Sequence, residues 1–396
     1  MKRHHTVAAQ LGLLGLCAVV ALVVVFPNEA NAVPSFARKY SMPCSACHAA
    51  WPMLNDVGRT FKENGFRLSR DEEGQNVISD FLELGERFPI SSVVKARPYD
   101  KKESGDSKVR ALHEVELMVA GSIHPNVPLF FEFEAEDEES FEFEFGEGYL
   151  GYYPSEFDYL NLLLSYAPVF SADPYDTLSS RRLTRGRNSV IDQRFGGADN
   201  NGRLRDSRQR VGINGRPVEW AFYSLGYSGV AGDAEGVNAS NFDGRLAIDV
   251  IPELTLGAFG VTGECVNTTS NCSVDRDFYR IGVDAQADFQ NVRLRGAYVR
   301  AQDDPDNFGP QEDNNAWYVE GNYFWREDDR PLLVPSVRFD HYEQSDGRDD
   351  FNEITLNLTY YLYENVKIFL EYFNQLDVPS GQETDSRVTL QVEAGF

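Results

Sequence analysis

The sequence predicts an all-β fold, an outer-membrane type of closed antiparallel barrel with about sixteen strands, preceded by a small α-helical segment that plugs its lumen. Three observations lead there. Runs of roughly ten residues alternate apolar and polar side chains from Phe88 to Phe396. Their connections alternate between short and long, the pattern of a barrel with tight turns at one end and loops at the other. Ahead of them stands an apolar stretch of the export type.

Taken in order, Lys2, Arg3 and two histidines precede an apolar run from Leu11 to Phe26, and Ala30-Asn31-Ala32 offers small residues around a cleavage point. Residues 1–32 therefore read as a secretory signal peptide, which carries Cys17 away with it. The whole chain has a formal net charge of -25. Loss of Lys2, Arg3 and Glu29 makes the mature balance one unit more negative, which argues against nucleic acid as a partner. No later run is long and apolar enough for a transmembrane helix, but a barrel hides its apolar face in every second residue.

Residues 33–87 centre on Cys44-Ser45-Ala46-Cys47-His48. This C-x-x-C-H pattern attaches one haem c: two thiols add to the vinyl groups, and the adjacent imidazole becomes an axial ligand of the haem iron. A zinc site needs about four ligands, and no second Cys/His pair of suitable spacing follows. A redox dithiol wants a βαβ context that is missing downstream. Pro52 is placed to start a helix with Leu54, Val57 and Phe61 on one side and Gly65 at its end. Arg59, Lys62, Arg67 and Arg70 make the segment basic. So short a unit buries little apolar surface and needs the haem and a surrounding wall.

The motif leaves the second axial ligand open. Met42, Met118 and His124 are the candidates, beside an open site. Met53 lies on the same helix as His48, pointing away, and His113 and His341 share strand parity with outward Val115 and Phe339.

Residues 88–396 form the barrel, with runs beginning near 88, 109, 128, 141, 158, 208, 218, 241, 254, 276, 291, 315, 332, 351, 365 and 385. In the last run Val388, Leu390, Val392, Ala394 and Phe396 alternate with Arg387, Thr389, Gln391 and Glu393. Short connections at Gly215 to Pro217, Pro252-Glu253, Phe289-Gln290 and Tyr363-Glu364 separate long ones at 230–240, 264–275, 303–314, 342–350 and 375–384. Both barrel ends, and the tether of the haem segment, then lie on the periplasmic side. Cys265 and Cys272 fall in an external loop of an exported chain and are expected to form a disulfide. A soluble sandwich also alternates, but 19 tyrosines and 27 phenylalanines, many at run ends, fit the aromatic girdles of a membrane barrel.

A barrel of this size encloses a channel unless something fills it. Parity points Glu114, Glu116, Glu132, Glu134, Glu136, Glu142 and Glu144 inward on neighbouring strands, where like charges repel. The arginine-rich connection Phe170 to Ser207 is either a mobile external loop or an inward plug that answers this acidic wall. Arg280, Arg293, Arg295 and Arg338 make the opposite wall basic, and the acidic side suits a divalent cation such as Fe²⁺.

Pro34-Ser35-Phe36-Ala37-Arg38, the Cys44 to His48 motif, Pro52, Leu54, Gly58, Phe61-Lys62 and Asn64-Gly65-Phe66 together resemble the N-terminal signature of fused outer-membrane cytochrome-porins, whose best-known members are proposed iron oxidases. The resemblance implies a haem held within an outer-membrane barrel of a Gram-negative bacterium. It also implies electron transfer from extracellular Fe(II) or another donor to a periplasmic c-type cytochrome or other soluble carrier. The alternative is a solute porin whose haem segment is a structural or gating plug. A third possibility, chemistry at an open haem iron, has no further catalytic constellation in the sequence to support it.

Overall fold

The computed structural model describes residues 34–70, 77–79, 82–83, 89–199, 202–236, 240–265, 275–305 and 311–396. Sixteen antiparallel strands close into one barrel. They are β1 (Ile90–Lys102), β2 (Ser107–His124), β3 (Val127–Glu136), β4 (Glu144–Tyr152), β5 (Asn161–Ala167), β6 (Arg208–Val218), β7 (Ala221–Ser228) and β8 (Asn241–Ile251) in the first half. The second half holds β9 (Leu254–Cys265), β10 (Arg276–Phe289), β11 (Val292–Asp303), β12 (Glu312–Tyr323), β13 (Arg330–Gln344), β14 (Asp349–Tyr363), β15 (Val366–Asp377) and β16 (Ser386–Gly395). Strand β12 resumes after Phe324 as Trp325–Glu327, which also pairs with β13. Each expected run has its strand. Closure comes from β16 on β1, with Leu390 opposite Tyr99 and Ala394 opposite Val94, so the barrel itself has no edge strand.

Alternation explains the two surfaces. Outward side chains are large and apolar: Ile281, Val283 and Val319 are 59%, 57% and 55% exposed. Their inward neighbours Arg280, Asp284 and Glu320 are buried. So wide an apolar outer belt suits hydrocarbon rather than water.

The lumen is filled from both ends. From the long-loop end, residues 168–199 and 202–207 fold inward, including the short helix α3 (Ser189–Asp192), whose first turn is capped by the Asn188 side chain on Ile191 N at 3.2 Å. Val169, Phe170, Val190, Ile191 and Phe195 pack on Phe259, Phe278, Val299 and Tyr318 of the wall, forming a core inside the cylinder. Inward folding, one of the two alternatives for this segment, is therefore what occurs.

The basic wall is real but does not present a free field, because each arginine meets a carboxylate. Arg295 pairs with Glu320 at 2.8 Å and Arg338 with Asp340 at 2.6 Å, both on the wall; Arg293 pairs with Asp176 of the inserted segment at 2.6 Å. Arg280 pairs with Asp303. Arg245 takes Asp173 at 3.1 Å and Asp284 at 2.7 Å. Buried charges persist only when compensated in this way.

From the short-turn end, residues 34–70 wedge into the mouth. Helix α1 (Ser35–Tyr40), the tight turn Cys44–Ala46, a hairpin of His48–Ala50 against Met53–Leu54, and helix α2 (Asp56–Glu63) follow one another. The helix expected from Pro52 begins instead at Asp56. The Trp51-Pro52 bond is cis within the hairpin, and the Asn55 side chain caps α2 by accepting from Gly58 N at 3.0 Å. Gly65 stands just past the helix with φ +69°, where an L side chain is strained. Phe36 meets Phe61 edge to face and stacks on Phe66, which in turn stacks on Tyr149 and tilts against Phe130 of the wall, so plug and barrel share an aromatic core.

Candidate functional site

The Cys44–Ala46 turn rests on the short connection between β14 and β15. Ser45 donates its N–H to Glu364 Oε2 at 2.8 Å and its hydroxyl to Oε1 at 3.3 Å. From the other side Asn55 Nδ2 donates to the Ser45 and Ala46 carbonyls, both at 3.1 Å. Gly58 lets α2 abut the turn, since a Cβ there would lie 2.0 Å from the Cys47 carbonyl oxygen. The motif is thus clamped between a barrel turn and its own following helix.

Cys44 and Cys47 are free thiols, each partly buried. Burial, and then the Glu364 carboxylate, push the Cys44 thiol up to about 11, and burial raises Cys47. Neutral thiols of this kind differ from the stabilised thiolate of a reactive redox pair. His48 places Nδ1 3.2 Å from the Pro52 carbonyl oxygen. In the tautomer that donates there, Nε2 is an unprotonated lone-pair donor. Burial pulls this imidazole down to about 4, so it is neutral at neutral pH. Asp176 and Arg181 of the inserted segment are the charged groups acting on it.

The three distal candidates are not gathered around His48 by hydrogen bonds or packing among the described residues. Met118 sits in the wall opposite Glu132 and Ser91. His124 ends β2 beside a short turn, receiving Asn126 N at 3.5 Å. Met42 follows α1, its N–H on Ala37 O at 3.3 Å. Met53 is completely buried with Ala49, Leu183, Val334 and Tyr361. His113, expected on the outer face, is instead buried against Asp137 at 2.9 Å and Arg110 at 3.2 Å, because the β1–β2 register shifts between Lys95 and Arg97. Cys265 is buried at the end of β9 and is not among the free thiols, while its expected partner Cys272 lies outside the described residues, as does the signal-peptide reading of residues 1–32.

The acidic wall is present on β2, β3 and β4. Register places Glu116 opposite Glu134, Glu114 opposite Glu136, Glu132 opposite Glu147 and Glu134 opposite Glu144. Glu142 belongs to the β3–β4 connection rather than the wall, and a bulge at Gly146 brings Glu147 inward in its place. Among the described residues Lys95 is the lysine or arginine that pairs with this wall, at 2.9 Å from Glu114 and 2.5 Å from Glu116. Arg182 and Arg187 of the inserted segment bond oxygens of their own segment and form no ion pair among the described residues. Sequence reasoning missed Asn55, Glu364, Asp173 and Asp176. Only Asn55 had a local signal, an Asn one residue before an acidic first helical turn.

Sixteen strands, tight turns at one end and a long segment folded into the lumen define a barrel with the porin fold. No protein-family model and no curated protein matches the chain by sequence. Among solved structures it is similar to the anion-selective porin from Comamonas acidovorans, at 15% identity and TM-score 0.59, over 78% of this chain and 98% of that one. It is also similar to Salmonella typhi OmpF in complex with daunomycin, at 14% identity and TM-score 0.58, over 81% of this chain and 100% of that one. The outer membrane channel DcaP of Acinetobacter baumannii matches at 12% identity and TM-score 0.50, over 78% and 95%.

Proposed function

We propose that the chain is an outer-membrane, porin-like barrel whose periplasmic mouth is closed by a plug bearing one covalent haem c. Cys44 and Cys47 would hold the group and His48 Nε2 would ligate its iron. The observation that carries the proposal is the seating of this motif at the mouth of the barrel, with His48 Nδ1 3.2 Å from the Pro52 carbonyl oxygen, so that in the tautomer that donates there Nε2 would be the iron ligand. The barrel fold and the apolar outer belt support the membrane and its lipid as the surroundings. Bound haem supplies a one-electron redox centre. The chain's own residues do the rest: Asn55 and Glu364 fix the turn, and Pro52 orients the imidazole. Met42, Met118, His124 or an open position remains for the distal side, and Cys265 with Cys272 would close the external β9–β10 loop.

The porin fold favours a solute channel, with the plug and the inserted segment setting the width of its acid-lined passage. One feature favours electron transfer from an extracellular donor such as Fe(II) to a periplasmic carrier. The plug is fastened all round the mouth, through Arg38 to the Ile90 carbonyl at 2.6 Å, Glu63 to Arg216 at 2.7 Å, Leu54 O to Arg293 at 2.9 Å and Trp51 O to Tyr361 at 2.6 Å. That is a seat and not a hinge.

The test joins three measurements on purified protein: covalent haem after denaturation, haem reduction on mixing with Fe(II), and conductance in planar bilayers. Rapid reduction with little conductance supports the conduit. Free conductance with a haem inert to Fe(II) supports the channel. No covalent porphyrin overturns the haem-bearing plug and leaves only the channel.

A further inference from the structure

On the outer face of β13 and β14, near the long-loop end, His341, Glu343 and Asp350 bring one donor atom each within 4.8 Å of the others. Register explains the convergence: His341 and Glu343 are two residues apart on one strand, and Asp350 lies directly opposite Glu343 on the next. Two facing carboxylates repel. Among the described residues no lysine or arginine makes an ion pair with either, and His341 is the charged-type group that faces Glu343.

Neighbouring groups orient the donors. His341 Nδ1 meets Asn352 Oδ1 at 3.0 Å, which turns Nε2 toward Glu343 Oε1 at 3.9 Å. Trp317 stacks on the imidazole at 5.6 Å and 28°, holding the ring plane. Asn315 donates to Glu343 Oε2, leaving Oε1 free. A separation of 3.9 Å is too long for a hydrogen bond. It is about half an ångström wider than two donors bonded to one first-row ion at ~2.0–2.2 Å, a gap that partly exposed side chains can close.

We propose that His341, Glu343 and Asp350 bind a divalent first-row transition metal ion on the outer wall of the barrel. Neutral imidazole with two carboxylates balances the charge of a divalent ion, and the nitrogen donor selects such ions over Ca²⁺ and Mg²⁺. The exposed side of Asp350 leaves coordination positions open to water. The site stands apart from the plug, and its existence does not depend on the haem reading.

Cu²⁺ is the probe, titrated into the purified full chain in detergent and followed by electron paramagnetic resonance. One saturable site with a single coupled nitrogen is expected, and His341→Ala removes that coupling. Asn352→Ala keeps all three donors but frees the ring, and weakens binding by about 10–100-fold. Asp350→Asn, at an exposed position, weakens it without threatening the fold and carries the test if His341→Ala does not assemble. An unchanged nitrogen coupling in His341→Ala, or affinities within twofold of the parent in both other variants, overturns the proposal.

Discussion

Replacing Gly58 with alanine probes how closely the Cys44–His48 turn is clamped. The new Cβ would sit 2.0 Å from the Cys47 carbonyl oxygen and 3.0 Å from a Leu54 methyl, whereas ordinary contact begins near 3.4 Å. Helix α2 must retreat by more than an ångström or the turn must yield. Either movement stretches the Asn55 bonds to Ser45 and Ala46, now 3.1 Å, beyond hydrogen-bond length. Overpacking costs about 1–3 kcal/mol and loss of the Asn55 anchor about 1 more, so local opening of the plug is favoured by ~2–4 kcal/mol while the barrel is untouched. Hydrogen exchange of amides in residues 44–63 is the assay. Their protection should fall by a factor of thirty or more, on the order of what 2 kcal/mol implies. Protection within threefold of the parent would refute the clamp, since no relaxation compatible with these contacts is that cheap.

Asn55→Ala removes the cap and both turn bonds, and should lower protection of the same residues by about 1–2 kcal/mol, read in the same exchange experiment. Arg210→Met leaves Asp243 buried and unpaired in the wall, where the pair now stands at 2.6 Å; urea unfolding of the folded barrel should show a loss of about 3–5 kcal/mol, most of it recovered when Asp243→Leu is added. In Cys44→Ala/Cys47→Ala protein, which cannot attach haem, His48 has a folded pKa depressed from 6.5 to about 4, so the unfolded plug binds the extra proton first. Plug protection should therefore decline as pH falls from about 6.5 toward 4, and His48→Asn should flatten that dependence; a flat parent profile would contradict the burial of the ring.

The barrel is legible in the sequence because its period of two is written into every strand: Val388 to Phe396 outward and Arg387 to Glu393 inward need no tertiary knowledge. The inward arginines are equally legible as side chains of one parity. Their partners are not, because Arg295 meets Glu320 only through the register of β11 on β12. Parity itself fails where strands bulge, which is why His113 turns inward and Glu147 replaces Glu142. At the site, the thiols and His48 follow from five consecutive letters. Glu364 does not, being 319 residues from Ser45.

That separation sets an order of events in assembly. The seat for Ser45 is a turn between the third- and second-last strands, so the plug cannot take it before those strands have paired, and contacts this remote in sequence form late. On the proposed haem reading, a group joined to Cys44 and Cys47 would have to be joined before the plug takes this seat and β16 seals onto β1.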